Sequence, residues 1–239
     1  KEIHLKETKA KKEKKIVAEQ DEIIVIQECI RLKYYHLLVA LFTGARASEV
    51  AGICWKNINF DNNTIKLKQE FMQVRQYEYV NGKIVSKGRK CEITELKSKS
   101  SYRSLGIPKE IMDILKEYKE SQKQLASKLG IKFKETDLAF TSCTYRPYDK
   151  NDLYEKMSNL MKRTKIKDWQ ELSTHCLRHT YCSTGVRNKV PLADMKALLG
   201  HEDISVTAEW YMHFDEEQII KSSNDVNRNR VVALQSINA

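Results

Sequence analysis

Phe71-Met72-Gln73-Val74-Arg75-Gln76-Tyr77-Glu78-Tyr79-Val80-Asn81-Gly82-Lys83-Ile84-Val85 decides the fold class of this chain. Asn-Gly suits the two central positions of a type I′ turn, where both residues need positive φ, and its flanks carry β-branched and aromatic residues. The stretch therefore predicts a β-hairpin over Phe71 to Val80 and Lys83 to Val85. Around it, Thr64-Ile65-Lys66-Leu67-Lys68 alternates apolar and polar residues, as a half-exposed strand does. Glu92 to Leu96 and Arg103 to Ile107 read as further strands, closed by Pro108. Residues 60–107 are thus expected to form one small antiparallel sheet. Between Arg75 and Arg103 lie eight basic and three acidic side chains, an asymmetry that suits a hairpin tracking a phosphate backbone.

On either side of this sheet the pattern changes to helical spacing. A first helix begins near Val17, with Ile23, Ile24, Ile26, Gln27 and Ile30 around its apolar face. A second runs from Leu32 to Phe42 and is broken at Thr43-Gly44; Arg46 to Ile53 resumes as a helix. Pro108 opens another at its first position, with Ile111, Ile114, Leu115 and Tyr118 in one stripe and a stop at Gly130. Ala139-Phe140-Thr141 reads as a short buried strand. Residues 150–164 form a basic amphipathic helix on Leu153, Met157, Leu160 and Met161. A further helix from Pro191 ends at Gly200, and Ser205 to Phe214 is a helix that carries Tyr211. The fold class is mixed, mainly α, with a small antiparallel β-sheet.

The 239 residues suffice to bury a core, and the 41% hydrophobic content is that of a globular protein. No apolar run approaches the roughly 18 residues needed to span a bilayer, and no apolar segment follows the charged N-terminus as in a signal peptide. A net charge of +10 points to a polyanionic partner. Six scattered cysteines without a paired knuckle read as reduced thiols of a cytoplasmic protein. His175, Cys176, His179 and Cys182 could offer nitrogen and sulfur to zinc, but the spacing lacks the usual paired-cysteine pattern. Neither metal nor cofactor is expected. Residues 1–15, with seven lysines and three glutamates, read as a solvated linker.

The chemistry-bearing residues lie mostly near the C-terminus: His175-Cys176-Leu177-Arg178-His179, then Leu199-Gly200-His201, then Tyr211. Cutting a phosphodiester needs a nucleophile, charge neutralisation on two non-bridging oxygens, and an acid for the leaving oxygen. Guanidinium forks match phosphate oxygens and stay charged, so Arg178 and the distant Arg46 can supply the second item. His175 and Arg178, three apart, share a helix face; His179 is assigned to packing. Taken singly, each residue has a plainer reading. Arg46 reads as well as a surface ion pair with Glu49, and Tyr211 as a core aromatic.

Together the pieces resemble the catalytic domain of the tyrosine recombinase (phage integrase) family. They are Thr43-Gly44-Ala45-Arg46-Ala47-Ser48-Glu49, Lys97-Ser98-Lys99-Ser100-Ser101-Tyr102-Arg103, His175 to His179, Leu199-Gly200-His201 and Tyr211-Met212-His213, in the family's order across about residues 17–215. The resemblance implies that fold for residues 16–215, with 1–15 similar to an interdomain linker and 216–239 similar to a tail exchanged between protomers. It implies that Tyr211 attacks the scissile phosphate to form a 3′-phosphotyrosyl bond. Arg46 and Arg178 would clamp the phosphate, Lys99 would protonate the 5′ leaving oxygen, His175 would handle the tyrosine proton, and His201 would hydrogen-bond the phosphate. Lys97 shares a strand face with Lys99 and stays open as the acid. The long 69–96 region resembles the sheet insertions of conjugative-transposon and other mobile-element integrases. Arg75, Lys83, Lys87, Arg89, Lys90, Lys97 and Arg103 would then contact DNA.

The implied activity is site-specific recombination for integration and excision of a mobile element, without metal or ATP. Its implied partners are double-stranded DNA, copies of the same chain in a DNA-bound tetramer, and accessory DNA-bending or directionality factors, on the bacterial nucleoid and without a membrane. Two other readings are carried along: a catalytically silent DNA-binding regulator of the same fold, and a type IB topoisomerase-like enzyme.

Overall fold

Helix α2 (Tyr35–Thr43) is apolar on every side, and seven of its nine residues are buried, which makes it the axis of the core. It ends at Gly44, in the left-handed region at φ 61°, where the glycine N–H donates to the Ala40 carbonyl at 3.0 Å. A β-carbon there would also stand 2.6 Å from the Tyr181 ring, so both conformation and close approach demand glycine. The computed structural model describes residues 15–96, 98 and 101–208. Around α2 lie α1 (Glu19–Arg31), α3 (Ala47–Ala51), α4 (Lys109–Lys128), α5 (Lys150–Thr164) and α6 (Thr174–Arg187), followed by α7 (Leu192–Leu199) and α8 (Ile204–Ala208). Trp55, Phe140, Leu115, Met157 and Leu160 fill the centre of the largest apolar cluster.

The strands are β1 (Ile58–Asn59), β2 (Thr64–Leu67), β3 (Gln69–Val80), β4 (Lys83–Glu95) and β5 (Arg103–Gly106). They form two sheets rather than the single one expected for residues 60–107. One is three-stranded, in the order β1-β2-β5; the other is the β3–β4 hairpin alone. In the first, Ile65 and Leu67 are buried while Lys66 is exposed, the alternation that the sequence carries. In the second, Asn81 and Gly82 take φ of 49° and 80° and close the expected turn. β4 is continuous where two strands were expected, because pairing with β3 carries it through Ser86 to Cys91 despite Gly88 at φ 105°. From Tyr77 to Cys91 the hairpin is exposed on both faces, so it stands clear of the body and has no core to impose alternation.

The apolar face of α1 also differs from expectation. Val25 and Cys29 are buried, whereas Ile23 is 61% exposed and Ile24 and Ile30 are exposed as well. Four isoleucines spread around one helix leave its phase undecided by pattern; contact with α2 and α5 selects the smaller pair, four residues apart. α2 starts at Tyr35 rather than Leu32 because Lys33, at φ 56°, interrupts the chain. α3 is confined to Ala47–Ala51 within the expected Arg46 to Ile53. The expected strand at Ala139-Phe140-Thr141 is buried but reduced to isolated bridges, Cys54 to Leu138 and Thr141 to Pro147.

α5 has the expected limits. Asp149 caps it, accepting from the N–H groups of Asn151 at 2.7 Å and Asp152 at 3.1 Å, and Leu153, Met157, Leu160 and Met161 are its buried stripe. α7 ends at Gly200 in the left-handed conformation, φ 65°. α4 begins one residue after Pro108. The expected helix Ser205 to Phe214 is described only as far as Ala208. Tyr211, Lys97, Lys99, the linker 1–14 and the tail 216–239 lie outside the described residues. Among the described residues, no helix is long and apolar enough to cross a membrane.

Candidate active site

Glu49 organises the centre of the site. Sitting at the third position of α3, it accepts from the Arg46 backbone N–H at 2.8 Å and from Arg46 Nη1 at 2.9 Å. Arg103, arriving from β5, donates to it through Nη2 at 2.8 Å and Nη1 at 3.4 Å. Glu49 is 1% exposed and the Arg103 side chain 6%, so a full carboxylate–guanidinium pair is buried here. Burial pushes the Glu49 pKa up, but the bonds and charges of Arg103 and Arg46 pull it further down, and the net shift is downward. Arg103 also donates Nε to the Leu198 carbonyl at 2.7 Å and Nη1 to the Ser101 carbonyl at 2.9 Å. One guanidinium thus ties α3, β5 and the end of α7 together.

Arg103, expected to contact DNA, is here engaged by Glu49 and by the Leu198 and Ser101 carbonyls. A strand pattern shows only which face a residue takes, and here that face turns inward onto Glu49. The plainer reading of Arg46 as a partner of Glu49 is also realised, without removing Arg46 from the cleft: its side chain remains 41% exposed.

Arg178 comes up from α6, buried, with Nη1 donating to the Gly44 carbonyl and Nη2 to the Leu199 carbonyl, each at 2.7 Å. Two carbonyls fix the fork, but no carboxylate lies within ion-pair distance of it among the described residues. Burial and the Arg46 charge both disfavour its cation. An arriving anion would relieve that cost. His175, one turn earlier, is exposed, and desolvation followed by the Arg178 and Arg46 charges lowers its pKa. Its ring packs edge-on against His179 at 4.7 Å. His179, assigned to packing, lies against His175 because the two are four apart on one helix.

His201 follows the Gly200 cap. Burial, then the charges of Arg178, Arg46 and Arg103, bring its pKa down to about 4, so the imidazole is neutral near pH 7. Its Nδ1 is hydrogen-bonded at 2.8 Å to the hydroxyl of buried Thr207 on α8.

Arg46, His175, Arg178 and His201 line one open cleft of about 630 Å3, together with Glu49, Glu70, Ser98, Ser101, Gly200, Glu202 and Asp203. Four of the six expected catalytic residues are thereby brought together from three distant segments; Lys99 and Tyr211 lie outside the described residues. A second cleft of about 480 Å3 adjoins it and takes Arg75 and Arg89 from the hairpin. Lys83, Lys87 and Lys90 are strung along the exposed arm, with Lys87 Nζ 3.2 Å from Glu78 and Lys90 Nζ 3.4 Å from Glu92.

Sequence reasoning paired Glu49 with Arg46 but missed its bond to Arg103, and it missed Lys150 and Tyr154 of the second cleft and Thr207. Glu49 alone had a signal, its place three residues after Arg46 at a helix start. Of the four residues that could be considered for zinc, Cys176 and Cys182 are both buried, Cys182 in an apolar cluster with Met195 and Leu199, and Cys176 Sγ accepts from the Ser173 N–H at 3.2 Å. Among the described residues no three His, Cys, Asp or Glu are grouped to hold a metal ion.

Residues 6–218 match the model of the phage integrase family. The chain is 28% identical over 213 residues to a tyrosine recombinase XerC-like protein of Caldanaerobacter subterraneus subsp. tengcongensis, covering 87% of this chain and 52% of that protein. It is 24% identical over 191 residues to the ICEBs1 integrase of Bacillus subtilis, covering 80% and 47% respectively. The chain thus spans about half the length of these relatives. The fold is shared with the Tn1549 transposon integrase, solved in complex with transposon right end DNA, at a TM-score of 0.70 and 18% identity over 90% of this chain and 66% of that one.

Proposed function

The chain belongs to the phage integrase family, and from that premise we propose that it is the catalytic part of a site-specific DNA recombinase serving a mobile element. One observation carries the reading: Arg46, His175, Arg178 and His201, from segments far apart in sequence, line a single cleft. Residues 16–215 are assigned to the catalytic domain, 1–15 to a linker and 216–239 to a tail exchanged between protomers. The substrate is double-stranded DNA, worked on by a tetramer of copies with accessory bending or directionality factors, in the cytoplasm on the nucleoid.

The Tyr211 hydroxyl loses its proton to His175 and attacks phosphorus, forming the Tyr–O–P bond as the P–O5′ bond breaks. Arg46 and Arg178 hold the non-bridging oxygens and stabilise the charge of the pentavalent transition state. Lys99, or Lys97 beside it, supplies a proton to the departing 5′ oxygen. Neutral His201, paired through Nδ1 with the Thr207 hydroxyl, is assigned its proton on Nε2, from which it donates to the phosphate. The phosphodiester energy is held in the protein–DNA ester, so a 5′-hydroxyl of a second strand reverses the step without ATP. Two guanidinium groups supply the positive charge, so cleavage is expected to survive a chelator.

A nicked DNA substrate, from which the cut fragment diffuses away, tests this reading. The native chain should accumulate a covalent DNA adduct, in the presence of EDTA as in its absence, and Tyr211→Phe should abolish it. Folded, DNA-bound protein that forms no adduct on its own recombination site would refute the enzyme. Loss of the adduct in EDTA would refute the metal-free step.

A further inference from the structure

We propose that the cleft between the base of the β3–β4 hairpin and the start of α5 is a second phosphate site, built for the DNA backbone phosphate next to the scissile one, with Lys150, Arg75 and Arg89 as its contacts. This rests on DNA being the substrate and adds a place on it.

Three observations carry the assignment. The first is continuity: Arg46 and His175 line this cleft and the cleft of the candidate active site alike. Consecutive phosphates of one strand follow each other at about 3.4 Å of helix rise, so two clefts with a common wall suit neighbouring phosphates.

The second is charge. In the candidate active-site cleft, Arg46 and Arg178 face Glu49, Glu70, Glu202 and Asp203. The adjoining cleft presents Arg46, Arg75, Arg89 and Lys150, and among the described residues no carboxylate lines it. An anion placed there meets attraction that no acidic side chain among the described lining residues offsets.

The third is construction. Gln73, on the hairpin, donates Nε2 to Asp149 Oδ2 at the cap of α5 and accepts on Oε1 from Arg89 Nη1 at 3.4 Å. That amide fastens the hairpin base to α5 and steers Arg89 toward the cleft. Asp149 is meanwhile occupied by Gln73 and by the first N–H groups of α5, so its charge is already engaged. Lys150 Nζ stands 5.4 Å over the Tyr154 ring. Tyr154, 40% exposed, lends the cleft an aromatic wall and a hydroxyl.

Salt titration of duplex DNA binding tests the site. Each lost phosphate contact should lower the slope of log affinity against log salt by about 0.9. Lys150→Gln and Arg75→Gln should each show that loss, while Lys116→Gln on the exposed side of α4 should leave the slope unchanged. All three side chains are exposed, and a thermal melt confirms that each variant is folded. Unchanged slopes for both Lys150→Gln and Arg75→Gln would overturn the proposal.

A nicked substrate with a neutral methylphosphonate beside the scissile phosphate tests adjacency. The replacement should slow adduct formation by the native chain severalfold and cost Lys150→Gln nothing more. Equal, multiplicative losses in both proteins would overturn the adjacent placement. Absence of any adduct from the native chain, with the slopes shifted as expected, would count against the recombinase reading while leaving the phosphate site standing.

Discussion

Replacing Arg103 by methionine removes one side of a buried pair and leaves most of the volume. Glu49, at 1% exposure, would keep the two bonds from Arg46 and lose those at 2.8 and 3.4 Å from Arg103. The carbonyls of Leu198 and Ser101 would lose a donor each. Breaking a buried pair by removing one partner costs about 3–5 kcal/mol. Arg46 still faces the carboxylate, which places the expected loss at the lower end, about 3 kcal/mol. Urea unfolding of Arg103→Met, Glu49→Gln and the double variant measures it. Neutralising Glu49 should recover part of the loss, giving a coupling of about 1–3 kcal/mol. Additivity within about 0.5 kcal/mol would refute the buried brace, as would a loss under about 1 kcal/mol, the value of an exposed pair. The same variant distinguishes the brace from a DNA contact, since the salt slope of duplex binding should not change.

Other consequences follow from the same geometry. Thr207→Val removes the hydroxyl on His201 Nδ1 and should slow adduct formation about fivefold, the worth of one hydrogen bond of about 1 kcal/mol, with Thr207→Ser restoring the rate; equal rates in all three would remove Thr207 from the site. The folded-state pKa of His201 is brought down from 6.5 to about 4, so the unfolded chain binds the proton first as pH falls. Its contribution to stability should be complete above pH 6.5 and be lost between there and about 4. The stability difference between the native chain and His201→Gln, measured across that window, should shrink toward acid; a flat difference contradicts the burial. Gly44→Ala forces an unfavourable φ and a clash with Tyr181, and should cost more than about 1 kcal/mol in urea unfolding.

Local chemistry announced the features that local chemistry decides. Asn81-Gly82 made its turn and Gly200 ended α7 because each needs only its neighbours to act. The gathering of Arg46, His175, Arg178 and His201 was legible through motif order, which stands in for contacts between distant segments. What failed depended on those contacts themselves. Arg103 carried the same signature as the exposed lysines of the hairpin, and only the position of Glu49 turns it inward. The face of α1 is chosen by α2 and α5, since its isoleucines mark no single stripe. β4 runs through a segment without alternation because its partner strand, not a core, holds it. Lys150 and Tyr154 join the site through the Gln73–Asp149 latch, a pairing of residues 76 apart that no spacing rule anticipates.

The central claim is that the clustered arginines and histidines serve one nucleophile, Tyr211. Proteolysis of the trapped DNA adduct followed by mass spectrometry identifies the esterified residue. A phosphodeoxynucleotide on the peptide carrying Tyr211 is the predicted result. The same mass on Tyr154, whose ring lines the adjoining cleft, would contradict it.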